Sequence, residues 1–422
     1  TATPTIAPTP TATPRAGAPT PTPTAAPTPL PGTPTPTPVP QILKIGISGP
    51  MSGVASVMGQ NWLRGAQLGA EEVNAAGGIN IGGVRYNVEI PYADDKYTTT
   101  GGTEAGNKLI YEDKVRFIFS NTTAGTFAFR PMAEKEKVII LSASTSEALL
   151  GPTHPLTFRS FLQTLNTLPN AYIWLKNNTT VKTLGVINPN DDAGKAGTKT
   201  TKDMATVSGF QVTSEEYYER GTTDFYSTLT KVMAKNPDMI DLGVMLETQN
   251  VLKQLYELGY KGYKLTSILV TGARGVAKDI GADKEEGIIT YFQPVDGESA
   301  TASEGEKKFQ AAYKAKYGDW PENWYSEATY SWLRLIFPAA LPAAGSLDPD
   351  KVANALADVE VDSLVPGYKI KFYESIWGIK RELSYPSKVA VVRNGRVEVL
   401  ARVASGNVYD LFPNYPRPTV AK

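Results

Sequence analysis

From Gln41 to about Val403 short apolar runs alternate with longer amphipathic stretches, which confines the chain to α/β architectures with parallel strands and crossover helices. The first strand is expected over 42–48. A Gly/Pro/Ser turn follows, and Leu63, Ala66, Ala70 and Val73 then recur at helical spacing until Gly77-Gly78 stops the helix. Further strands are expected over 86–92, 115–119 and 138–141, with a helix over 105–111 between them. After Arg159 a second series begins, with strands over 183–187, 211–217 and 239–245 alternating with helices over 167–176, 198–207, 225–234 and 248–258. Two series imply two lobes. A third region carries a strand over 287–292 and helices over 304–317, 326–341 and 350–356. Near the end two short strands flank Asn394-Gly395, a type I′ hairpin signal.

The segment before this alternation behaves differently. Residues 1–40 hold 14 of the 32 prolines and 13 threonines, with Arg15 their only charge, so they cannot build a core. Repeated Thr-Pro steps favour polyproline II, about 3.1 Å per residue, and the segment reads as a spacer of up to roughly 120 Å. One expectation is a tether, as in bacterial lipoproteins, attached through a lipid on a residue ahead of it; the alternative is a disordered tail. No stretch at the start resembles a signal peptide, and no run of about 18 apolar residues occurs, so a soluble chain without a transmembrane helix is expected.

Composition removes several kinds of chemistry. Lys+Arg and Asp+Glu both number 42, and this balance argues against nucleic acid as a partner. With no cysteine and one histidine, thiol nucleophiles, disulfides, Cys/His zinc sites and His-centred triads are excluded together. No metal or cofactor is expected. His154, in Pro152-Thr153-His154-Pro155, reads as a surface residue.

The remaining motifs have bland and functional readings side by side. Gly46 to Gly53 lies between strand and helix but lacks GxGxxG spacing, and Pro50 removes an amide, so a plain turn competes with an anion loop. Asp94-Asp95 and Asp191-Asp192 suggest acid/base work, yet neighbours in extended chain point apart, and solvated turn aspartates are the commoner case. Ser120 to Gly125 and Ser142 to Ser146 are hydroxyl clusters directly after strands. In an open α/β sheet such loops form the ligand crevice, so both clusters are expected at one cleft, where hydroxyls and helix-start amides suit a carboxylate. Simple N-capping is the competing role, and it is compatible with binding.

Taken in order, Ile45-Gly46-Ile47, Pro50 to Gly53, the helix from Arg64 to Ile79, Asp94-Asp95, Leu141 to Ser146, Gly185 to Ile187 with Asp191 to Gly197, and Val251 to Gly259 resemble the type I periplasmic binding proteins, specifically the branched-chain amino acid receptors of ABC transporters. The resemblance spans about 42–403. It implies two doubly wound parallel-sheet lobes joined by a three-strand hinge, with lobe 1 at 42–162 plus 292–368, lobe 2 at 163–291 plus 369–406, and a peripheral tail over 407–422.

The resemblance also implies where ligand contacts fall. Thr122, Thr123, Ala143, Ser144 and Thr145 match the carboxylate-binding positions, while Met58 and Trp62 fall at the cleft mouth. Ala193 stands where relatives often carry tyrosine. The acid that relatives use for the ligand ammonium has no counterpart in Thr271-Gly272-Ala273-Arg274, so Glu247 is the expected substitute, or Arg274 meets a second anion. Met245, Thr271 and Phe292 are expected in the pocket wall. The function implied is an extracytoplasmic receptor, monomeric, that captures an amino acid, carboxylate or amide by hinge closure and passes it to an ABC permease without chemistry. A ligand-sensing receptor reporting to a separate partner is the runner-up, and an enzyme on this fold is third.

Overall fold

The computed structural model describes residues 39–416 apart from 54, 145, 163, 244, 268, 375–377 and 404–407, together with positions 2 and 7. The expected spacer over 1–40 therefore lies almost wholly outside the described residues, as do 417–422 of the expected tail.

Two sheets organise the chain. In the first, ten strands are built around Gln41–Gly49, whose parallel neighbours are Val84–Glu89, Tyr92–Asp94 and Phe117–Ser120. Phe117–Ser120 leads outward through Ile139–Ser142 and Thr157–Arg159, again in parallel. The second sheet has seven strands, with Thr183–Pro189, Gln211–Tyr218, Met239–Asp241, Tyr263–Thr266 and Ile289–Thr290 in parallel, and a hairpin on its edge. That hairpin, Ser387–Arg393 with Arg396–Val403, turns at Asn394 (φ 49°) and Gly395 (φ 71°), the left-handed pair that a type I′ turn needs.

The boundary between lobes departs from expectation at one place. Lys369–Glu374 and Lys380–Ser384, expected in lobe 2, pair instead within the first sheet, where Glu382 sits opposite Arg159 in parallel. The third crossing between sheets is thus the two residues between Ser384 and Ser387, some way after position 369. Lys369–Glu374 reads KIKFYE and Lys380–Ser384 reads KRELS, and neither pattern says which sheet a strand joins. The expected strand over 239–245 also stops early, at Asp241. Gly243 (φ 44°) turns the chain, and its N–H donates to Asp241 Oδ1 at 2.8 Å.

The three crossings are packed by rings. Phe161 on the first crossing lies 5.5 Å from Phe292 on the second and 4.8 Å from both Trp324 and Tyr325. Tyr385 on the third lies 4.9 Å from Trp324 and donates its hydroxyl to Glu327 at 3.1 Å. The indole N–H of Trp332 donates to the Ser160 carbonyl at 2.9 Å. Helix Ser56–Ala75 runs hard against Tyr325–Ser331 because Gly65 and Gly69 carry no side chain: a Cβ at Gly65 would overlap the Ser326 carbonyl. This close seat places Met58 and Tyr325 together at the mouth between the lobes.

Candidate functional site

Between the sheets lies a cavity of about 70 Å³, sharing Tyr97, Thr123, Ala193 and Arg220 as walls with an outer cleft of about 550 Å³. Its floor is the hinge itself, Phe161, Leu162 and Phe292; Met58, Asn121, Thr123 and Ala143 wall it on one side, Ala193, Arg220, Leu246 and Ser267 on the other.

On the first-lobe side the strand-end loops are held by hydroxyls. Thr122 is the N-cap of helix Thr123–Lys135, accepting from the Gly125 N–H at 3.1 Å, and it donates to Asp95 Oδ2 at 2.6 Å. Thr126 Oγ1 reaches Ser120 and Ser142 at 2.7 and 2.8 Å, tying the two loops together. Thr123 Oγ1 then faces Ser144 Oγ at 3.0 Å. Arg159 braces the second loop from below, donating to the Ser144 and Ser146 carbonyls while its Nε pairs with Glu382 at 2.9 Å.

Asp94 and Asp95 serve this scaffold. Asp94 accepts from Met51 N–H, the Ser52 hydroxyl and Lys96 N–H; although partial burial works against it, these bonds hold its carboxyl below the usual range. Asp95 is fully buried, and burial raises its carboxyl despite the bonds from Thr122 and Tyr97 N–H. The turn they shape holds Lys96 (φ 50°) and Tyr97 (φ 58°) in left-handed conformations unusual for such residues, and presents the Tyr97 ring to the cleft.

The second lobe answers with Arg220, on the loop after Gln211–Tyr218. Its guanidinium lies 5.4 Å from the Tyr97 ring centroid and pairs through Nε with Asp191 Oδ2 at 2.5 Å, while Nη1 is buried without a hydrogen-bond partner. Asp191 is itself the N-cap of Asp192–Ser208, its Oδ1 accepting from Gly194 N–H at 2.8 Å. Asp191 is thus occupied by a helix cap and an ion pair, while Asp192 lines the outer cleft.

Of the residues singled out from sequence, Met58, Thr123, Ala143, Ala193 and Phe292 line the cavity. Thr122 and Ser144 stand behind Thr123 as its supports, and Thr145 lies outside the described residues. Trp62 is buried behind the wall, packed on Phe161 and Tyr325 at 5.8 and 5.4 Å. Met245 is wholly buried in the second-lobe core, because the turn at Gly243 carries it away from the cleft. Glu247 accepts from the Tyr218 hydroxyl and from Gly221 N–H, so it faces its own lobe. Thr271 and Arg274 line a separate cavity of about 380 Å³, where Asp296 holds the guanidinium at 2.7 and 2.9 Å and Glu298 at 2.7 Å. Sequence reasoning did not reach Tyr97, Phe161, Tyr325 or Arg220. Only Arg220 left a trace, a lone cation just after a strand.

Comparison with known proteins agrees with this geometry. Residues 42–378 match the model of a periplasmic binding protein family. The chain belongs to that family. A Leu/Ile/Val-binding protein homolog of Brucella abortus is 25% identical over 351 residues, covering 78% of this chain and 84% of the relative. A leucine binding protein from Thermotoga maritima superposes with a TM-score of 0.71 at 24% identity, over 86% of this chain and 99% of its own. A Rhodopseudomonas palustris solute binding protein in complex with 4-hydroxybenzoate gives 0.74 at 20% identity, over 89% and 100%.

Proposed function

We propose that the chain is an extracytoplasmic solute receptor that captures a small organic molecule between its lobes and hands it to an ABC permease. The observation that carries this reading is a cavity walled by strand-end loops of both sheets and floored by their hinge. Ligand bound there touches both lobes, so it favours the closed arrangement by its own contact energy, and closure is the signal a permease reads. The Brucella relative is named a Leu/Ile/Val-binding protein homolog, the Thermotoga neighbour is a leucine binding protein, and the Rhodopseudomonas neighbour is a solute binding protein in complex with 4-hydroxybenzoate. Asp94, Asp95 and Asp191 are engaged in caps and turns, which supports binding without catalysis. The chain acts as a monomer, tethered through its Pro/Thr-rich front by a lipid.

A thermal-shift screen of ligand-stripped protein against amino acids, organic acids and amides tests this. A true ligand at 100 times its Kd adds about 2.7 kcal/mol, read as a clear rise in Tm. No stabilisation by any compound in such a screen, or turnover of one of them, refutes it.

A further inference from the structure

We infer that the cleft selects a planar aromatic carboxylate that carries no ammonium group, its one carboxylate shared by Arg220 of the second lobe and Thr123 of the first. This rests on the receptor reading above and narrows it to a ligand class.

Among the described residues lining the cavity, Arg220 is the one charged side chain. Asp191 occupies its Nε, and its Nη1 stays buried without a partner in the protein, an N–H donor open to an acceptor on a ligand. Thr123, which shares both the inner and outer cavity walls with Arg220, opens helix Thr123–Lys135, and with Ser144 as donor in the bond between their hydroxyls the Thr123 proton is free to donate onward. A single carboxylate between them binds both lobes at once.

In the inner cavity an ammonium finds nothing comparable: Asp191, Asp192 and Glu219 line only the outer cleft. Both oxygens of Asp191 are engaged, by Gly194 N–H and Arg220, and both oxygens of Glu247, by Tyr218 and Gly221 N–H. A cation in the inner cavity would face Arg220 with no acid in the wall, losing its hydration for a like charge. A second carboxylate is disfavoured by the same count, since one guanidinium is present. The rest of the wall is flat and apolar, with Phe161, Tyr325 and Phe292 around the floor and the Phe161 and Tyr325 centroids 4.8 Å apart. Asn121 adds a buried amide whose Oδ1 and Nδ2 both lack partners, matched to a ring hydroxyl.

The test is calorimetric titration of the full chain, stripped of ligand by unfolding and refolding. Phenylacetate is compared with L-phenylglycine, and 4-methylpentanoate with L-leucine, each pair differing by one ammonium; benzoate and 4-hydroxybenzoate complete the set. Expected are binding of at least one aromatic acid ten-fold or more tighter than L-phenylglycine and 4-methylpentanoate, and a ten-fold or larger loss in R220Q. Because Arg220 also supports the Asp191 cap, R220K and T123V are titrated alongside, R220K retaining part of the affinity and T123V weakening it. Tighter binding of L-leucine or L-phenylglycine than of its deaminated partner overturns the ligand class while leaving the receptor reading intact. So does unchanged affinity in R220Q and R220K together. Silence from all six compounds also overturns it, and the wider screen then decides the receptor reading separately.

Discussion

Replacing Arg159 with methionine probes the brace beneath the binding loop. The guanidinium is almost buried, its side chain 5% exposed, and it reaches Glu382, 11% exposed, together with the Ser144 and Ser146 carbonyls. Removing one member of a buried pair costs about 3–5 kcal/mol, because the remaining charge keeps its desolvation penalty without its partner. The double variant R159M/E382M removes that charge as well, yet the two carbonyls still lose their donor at about 1–3 kcal/mol each way of counting. The double variant should therefore recover roughly half of the R159M loss, about 2 kcal/mol, so its loss falls well short of the sum of the two single losses. Urea denaturation read at unchanged m value gives these differences, and hydrogen exchange at the amides of Ser144 and Ser146 shows whether the loop has loosened. A loss below about 1 kcal/mol in R159M, or additive losses in the pair, refutes the claim that this ion pair holds the site loop in place.

Three further outcomes follow from single features. Glu285 is fully buried with both oxygens unpartnered, and burial, helped by Glu286, pushes its carboxyl up to about 8; since a raised acid keeps its proton only when folded, stability falls as pH rises from about 4.5 towards 8, and E285Q should match the parent at pH 4 and exceed it by on the order of 3 kcal/mol at pH 9. Identical pH profiles by urea titration count against this. Gly65→Ala sets a methyl against the Ser326 carbonyl and should lower stability by about 1–3 kcal/mol in thermal melts, whereas Gly83→Ala, with open space around it, should lower it only through its left-handed φ. Tyr97→Leu removes the ring beneath Arg220, and losing about 1 kcal/mol should shift the ligand-free equilibrium roughly five-fold towards the open form, visible as a larger radius of gyration in solution scattering.

Much of the architecture was legible because it depends on local periodicity. The strand over 183–187 is seen as Thr183–Pro189, the helix over 304–317 as Glu304–Tyr317, and the Asn394-Gly395 turn is where its φ angles require it. Misjudged were elements whose placement is tertiary. The strand Lys369–Glu374 reads KIKFYE and fits an edge of either sheet; its partner Lys380–Ser384 is assigned by Glu382 meeting Arg159, a pairing across more than 200 residues of chain. Helix Asp192–Ser208 begins six residues ahead of its expected start because Asp191 caps it, and a capping side chain is ambiguous with a catalytic one until its bonds are known.

The site divides along the same line, and the division explains which half of recognition a sequence reveals. Thr123 and Ala143 follow strands of the first sheet directly, so chain order alone puts them at the crevice. Arg220 also follows a strand, but its meaning depends on what its neighbours leave over. Asp191 takes one nitrogen, Tyr97 arrives from the other lobe on a strained turn, and Glu247 is withdrawn by Tyr218 and Gly221, so what the inner cavity offers a ligand is the remaining N–H donor of Arg220. The carboxylate end of a ligand can be inferred from topology, whereas the end that distinguishes one carboxylate from another is set by residual hydrogen-bonding capacity. That capacity is a difference between donors present and donors already used, and it exists only once the fold has paired the rest.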